Sequence, residues 1–283
     1  MESAGLELKC PFRRLRIAIP ADALSSNPSL REKTLVAGYL ARAAAAARAE
    51  SVDVYGPEGP GSDVLMSVLE YLSYPTYLRK LIVPLKPELK YAGVLPPLAV
   101  KALNEGFKDR EEGLFFKFGL IVECKRGSIA TIDVGEPERV THNVKKCKKN
   151  VLVLVGFNDK KRVVKVLPAK RGIWRGEYLG FEVNYFDNIY ELVEFYKGAG
   201  FKALGTSRRG TWPGKLRDYL GSNVGVLFGS PDKGLLDKYP DLELDALVNL
   251  FPCQGVRTVR LEEAVWGFAA LWNSLEGGLC ETR

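Results

Sequence analysis

Three stretches in the last third of this chain could together hold a small ligand: "TSRRG" (Thr206 to Gly210), "FGSPDKG" (Phe228 to Gly234) and "NLFPCQGVRT" (Asn249 to Thr258). Each follows an apolar run that reads as a strand. In an open α/β sheet, ligands bind beyond the carboxyl ends of the strands. Small residues there, such as Gly229 and Gly255, let a ligand approach backbone N–H and C=O groups. The third stretch, with Pro, Gln and Gly ahead of two Arg, is too elaborate for a strand-to-helix turn and too short for a linker. It reads as a small-molecule cradle, and three such stretches in succession point to one shared site.

A second chemistry lies in the charge. The formal net charge is +7, yet Arg139 to Arg175 holds twelve Lys or Arg against one acid, Asp159. That block is +11, and subtracting it from +7 leaves −4 for the rest of the chain. A solvated surface intersperses the two signs, whereas a one-signed block this dense suits a polyanion, most simply nucleic acid. Candidate contacts are Lys145, Lys146, Lys148, Lys149, Lys160, Lys161, Arg162, Lys170, Arg171 and Trp174.

Other chemistries find little support. The single His, His142, lies in the basic block with no G-x-S-x-G elbow anywhere in the chain, which argues against a serine-hydrolase triad. There is no P-loop, and five scattered Cys (Cys10, Cys124, Cys147, Cys253, Cys280) offer no zinc spacing. They read as free thiols of a reducing, cytoplasmic compartment. "GAGFKA" (Gly198 to Ala203) fits a dinucleotide-binding pattern, but its glycines close a helix and precede a strand, so they read as helix caps. No apolar run nears the roughly 18 residues of a membrane span. Hydrophobic content of 46% and charged content of 27% are ordinary for a globular protein.

The elements that must position these residues follow from pattern. "RLRIAIP", the Ala-rich "SLREKTLVAGYLARAAAAARAE" and "SVDVYGP" read as strand, helix, strand, which implies a parallel sheet. A further helix, around "SDVLMSVLEYLSYPTYLRKLIV", is interrupted by Pro75. From about Gly113 to Val183, short β-like stretches take over: "FGLIVECK", "SIATIDVG", "VLVLVGF", "RVVKVLP" and "YLGFEVNYF". They suggest a small barrel, of which the OB type binds oligonucleotides. Then α/β grammar resumes, ending in the helix "LEEAVWGFAALWNSL" with two acids in its first turn.

Several of these stretches match a known family over nearly the whole chain. "YPTYLRKLIVP", "LKYAGVLPPL", "GTSRRG", "VLFGSPDKGL" and above all "NLFPCQGVRTVRLEEA" resemble RNA methyltransferases of the SPOUT superfamily with an inserted OB-like domain. The basic block matches only generically. The resemblance implies an α/β, trefoil-knotted methyltransferase domain over 1–95 and 176–283, interrupted by an OB-like RNA-binding barrel over 96–175. It implies S-adenosylmethionine as cofactor, an RNA partner of which ribosomal RNA is one candidate, a homodimer built through the knotted domain, and no metal. Leu250, Pro252, Gln254, Gly255, Val256 and Thr258 would line the adenine and ribose. Leu227, Phe228 and Gly229 would form the opposing wall, with Thr206, Ser207 and Ser230 beside them. Arg209 would be the principal catalytic residue, orienting phosphate or ribose or activating the nucleophile, with Arg208 its neighbour. Asn249 would hold cofactor or base, and Asp232 would act as base or orienter. Trp266, Phe268 and Trp272, at helical spacing, are either ordinary core or a face buried on dimerisation. A non-catalytic RNA-binding factor on the same scaffold is the competing reading.

Overall fold

Leu15–Pro20 (β1) and Ser51–Tyr55 (β2) are buried at every position, the mark of strands covered on both faces of a parallel sheet. The computed structural model describes residues 8–9, 13–125, 128–277 and 281–282. Between β1 and β2 runs Leu30–Ala46 (α1), opened by a capping box in which Ser29 and Glu32 satisfy each other's backbone N–H. Ser62–Ser73 (α2) follows and stops before Pro75.

The chain then builds an antiparallel sheet from Phe115–Lys125 (β3), Ile129–Asp133 (β4), Val140–Asn143 (β5), Leu152–Phe157 (β6) and Val163–Pro168 (β7), ordered β5-β4-β3-β6-β7. The two end strands, β5 and β7, curl towards each other. Glu182–Phe186 (β8) returns to the parallel sheet beside β2. The sequence pattern groups that segment with the barrel strands, but its partner is β2, and it forms an edge of the parallel sheet. Ile189–Gly198 (α3), Phe201–Thr211 (β9), Asn223–Leu227 (β10), Ala246–Val248 (β11) and Leu261–Gly277 (α4) complete the chain. The parallel sheet is ordered β8-β2-β1-β10-β9-β11.

Helices cover both faces. α1 packs against α2 and α4 on one side, and α3 covers the other through Ile189, Leu192, Val193 and Tyr196. On the α3 side the buried Arg16 guanidinium forms a bidentate pair with Asp53, both contacts at 2.9 Å. The Tyr196 hydroxyl donates to the same carboxylate at 2.6 Å. Burial alone would push the Arg16 pKa down, but hydrogen bonding and charge from Asp53 outweigh it and hold the guanidinium protonated.

Phe268 and Trp272 of α4 are core residues, stacked on each other at 5.7 Å, and Phe268 meets Phe228 edge-on at 6.0 Å. They are therefore not a dimerisation face; of the three aromatics only Trp266 is exposed. Cys124 and Cys147 are joined in a disulfide, a correction to the free-thiol expectation. Antiparallel pairing of β3 with β6 brings the end of β3 beside the loop leading into β6, leaving 5.8 Å between the two Cα atoms. Cys253 is free and exposed, while Cys10 and Cys280 lie outside the described residues. Among the described residues no helix is long and apolar enough to cross a membrane.

Candidate active-site cleft

β1, β9, β10 and β11 run parallel, so the segments that follow them emerge at one edge of the sheet. That edge carries a cleft of about 1000 Å³, within the size range of cofactor sites. The three stretches singled out in the sequence meet there. Thr206, Ser207, Arg208 and Arg209 line it from β9. Phe228, Gly229, Ser230 and Asp232 line it from beyond β10, and Asn249, Leu250, Gln254 and Thr258 from beyond β11.

"TSRRG" is not a loop. β9 continues through it to Thr211, with a register shift against β11 between Thr206 and Thr211. The bulge turns Arg208 and Arg209 outward, and both are exposed. Gly210 passes so close to the end of β11 that a Cβ there would clash with the backbone of Val248 and Asn249. Asn249 ties the two segments together. Its Nδ2 donates to the Arg208 carbonyl at 3.0 Å, its Oδ1 accepts from Phe251 N at 3.0 Å, and its own N–H donates to Thr211 O at 2.8 Å. Gln254 Nε2 donates to Val256 O and Arg257 O, and Arg208 Nη1 to Arg257 O, bracing the same segment.

The opposite wall is equally tight. Thr206 Oγ1 donates to Leu227 O at 3.1 Å. A Cβ on Gly229 would lie 2.7 Å from Leu235 N, so only glycine lets the two segments approach this closely. The Arg209 guanidinium is paired with Asp237. Ser230 and Lys238 converge on Asp22, at 2.8 and 2.9 Å. Burial pushes the Lys238 ammonium pKa down, but the hydrogen bond and charge of Asp22 prevail and raise it. The amino end of α4 closes the cleft with Arg260, Leu261 and Glu262.

Four residues expected against a cofactor do not line this cleft. Leu227 is fully buried, leaving only its carbonyl near the site, while Pro252, Gly255 and Val256 face solvent. Two expected nucleic-acid contacts also turn inward. Arg171 donates to Leu179 O and lies 5.2 Å from the centre of the Phe118 ring. Trp174 packs edge-on against Phe107 and Phe116 at 5.9 and 5.2 Å. Both belong to the junction between the two sheets, where burial outweighs exposure to a ligand. Lys145, Lys146, Lys148, Lys149, Lys160, Lys161, Arg162 and Lys170 are exposed.

Asp22, Asp237, Lys238 and the Ser26–Pro28 segment escaped the sequence reading. "PADALSSNPS" directly follows β1, so the rule that drew attention to the other three strand ends applies to it equally.

Several known proteins are similar to this chain in sequence. A 28S rRNA (uridine-N(3))-methyltransferase of Drosophila melanogaster is 28% identical, the match covering 93% of this chain and 62% of the fly protein. The chain thus spans less than two thirds of that relative. A protein of the same description from Homo sapiens is 25% identical over 89% of this chain and 75% of its own length. An uncharacterised protein of Haloarcula marismortui is 29% identical over 90% of this chain and 96% of its own. The model of the family described as "Putative RNA methyltransferase" matches residues 14–271, and this chain belongs to that family.

Proposed function

We propose that the chain is an S-adenosylmethionine-dependent RNA methyltransferase. The observation that carries this reading is the convergence of three strand-end segments on one cleft in a chain of this family. The cleft fits the cofactor: it is large enough, and its lining includes Gly229 and Gly234, which are packed against each other where a Cβ on Gly229 would not fit. Thr206, Ser207, Phe228, Gly229, Ser230, Leu250, Gln254 and Thr258 would hold it, and it would supply an electrophilic methyl group on a sulfonium.

The residues of the chain then have to position an RNA nucleophile and exclude water. Arg209, restrained by Asp237, orients substrate phosphate or ribose, and Arg208 does so beside it. Asn249 fixes the bulge that carries both. Asp232, exposed on the cleft rim, is the group suited to orient the nucleophile or accept its proton. The uridine-N(3) activity for which the fly and human relatives are named makes uridine N3 of ribosomal RNA the acceptor we propose.

In this reading residues 1–95 and 176–283 form a knotted domain, and 96–175 an inserted OB-like barrel. The strand order β5-β4-β3-β6-β7, with β5 and β7 approaching each other, supports the barrel. Exposed Trp212, Val256 and Trp266 support a homodimer through the methyltransferase domain.

Calorimetric titration with S-adenosylmethionine tests the reading. A dissociation constant near micromolar, about −8 kcal/mol, at one site per chain is expected. Absence of binding at millimolar cofactor would leave an RNA-binding scaffold instead.

A further inference from the structure

The free basic side chains of the antiparallel sheet form two groups rather than one patch. Lys145, Lys146, Lys148 and Lys149 sit in the loop before β6, and Lys160, Lys161 and Arg162 in the turn after it. Lys170 emerges beyond Pro168, which pairs with Val153 at the start of β6, and so belongs to the first group. β6 has six residues, so the two groups are separated by roughly 17 Å of strand.

Both loops are pinned. The first is tied to β3 by the Cys124–Cys147 disulfide and by Asn150 N donating to Ile121 O at 2.8 Å. In the second, the Asn158 side chain accepts from Lys160 N and Arg162 N at 3.1 and 3.0 Å, and Asn158 N donates to Arg162 O at 3.0 Å. Each loop holds a non-glycine residue in the left-handed region, Asn150 at φ 59° and Lys161 at φ 56°. Asn tolerates that region, whereas a lysine persists there only when its surroundings enforce it. Other cations of this sheet are already paired: Lys117 with Glu136, Lys165 with Glu112, and Arg175 with Asp109 and Glu112. Among the described residues, the two lysine groups make no ion pair and stand free for an external anion.

Single-stranded RNA binders add aromatic platforms on which bases stack. From Phe107 to Tyr178, the one exposed aromatic side chain among the described residues is Phe115; Phe107, Phe116 and Phe118 are buried, Trp174 packs against two of them, Phe157 beside the second group is half-buried against the core of the antiparallel sheet, and half-buried Tyr178 donates to Ala49 O. With fixed cations at two separated points and almost nothing to stack on, the sheet is suited to phosphate backbones rather than bases. Double-stranded RNA presents two such backbones and is recognised largely by shape. Resting on the RNA-binding reading above, we infer that the two lysine groups form a two-point clamp on a double-stranded segment of the RNA, away from the base to be methylated.

Fluorescence anisotropy with an RNA hairpin of about two helical turns and an unstructured strand of equal length tests this, each titrated across salt concentrations. The hairpin is expected to bind at least about tenfold more tightly. Replacing Lys145, Lys146, Lys148 and Lys149 by Gln, or Lys160, Lys161 and Arg162 by Gln, should each lower the salt slope for the hairpin by about two to three. Equal or tighter binding of the unstructured strand would overturn the duplex assignment, while leaving RNA binding itself intact. A slope that responds to one group alone would overturn the two-point clamp. Binding of neither RNA would instead refute the underlying RNA-binding reading. Every replaced residue is exposed, and unchanged thermal unfolding would show that the variants fold.

Discussion

The Asn249 side chain donates to the Arg208 carbonyl at 3.0 Å and thereby fastens the end of one strand to the bulge of its neighbour. Forty-one residues separate the two, and the bond between them sets where the paired arginines emerge. Asn249→Ala removes this bond and the turn contact to Phe251 N. A cost of about 1–3 kcal/mol is expected from the unsatisfied groups. Titration with S-adenosylmethionine should show weaker binding, by roughly tenfold, because Leu250 and Gln254 lose their anchor.

Arg209 and Asp237 form an exposed pair, so its contribution to stability is small. Its contribution to rate should be larger. Arg209→Ala is expected to lower kcat by about two to three orders of magnitude if it acts on developing charge, and Asp237→Ala by roughly tenfold through loss of orientation. Single-turnover methylation beside cofactor titration separates the two effects. A fall in cofactor affinity matching the fall in rate would argue against this division of roles.

Gly229→Ala inserts a Cβ 2.7 Å from Leu235 N, against backbone that cannot rotate away. Overpacking of this kind costs about 1–3 kcal/mol. The short helix Leu235–Lys238 must shift, taking Asp237 and Lys238 with it. Thermal unfolding should show a lower Tm, and calorimetry a weaker cofactor complex.

The Arg16–Asp53 pair, by contrast, belongs to the scaffold. Asp53→Asn removes the bidentate partner of a buried guanidinium and leaves it Glu50 at 3.1 Å and Glu182 at 3.9 Å, so the cost should fall below the about 3–5 kcal/mol of a buried charge stripped of its partner. Urea unfolding measures it directly. Cofactor affinity of the folded variant should be unchanged, since Asp53 does not line the cleft.

Asp245 provides a pH signature. Burial pushes its pKa up, but Lys202 at 2.8 Å and the Ala203 N–H at 2.9 Å prevail, and the net shift is downward. A carboxylate depressed in the native state contributes stability above its unfolded pKa of about 3.9. That contribution disappears as pH falls through the native value. Asp245→Asn should therefore be less stable than wild type at pH 7, and the gap should close as the pH falls below the unfolded value and through the lower native one. A gap that persists in strong acid would mean a packing effect instead.

Much of this molecule is written in local pattern. Alternation of apolar strands with the Ala-rich run of α1 announced a parallel sheet, because covered strands must be apolar throughout. The glycines at 198 and 200 read as helix-closing, and Gly200 indeed takes φ 77° just beyond α3. The three strand-end stretches were visible because polar and small residues interrupt apolar runs there. Tertiary structure decided the rest. Nothing local shows that Glu182–Phe186 pairs with β2, since a short apolar strand suits either sheet. Arg171 and Trp174 look like ligand contacts until the junction between the sheets encloses them. Cys124 meets Cys147, and Asp22 meets Ser230 across 208 residues, only because the topology closes those distances. Periodicity reports which face of an element is buried; it carries no information about which distant element does the burying.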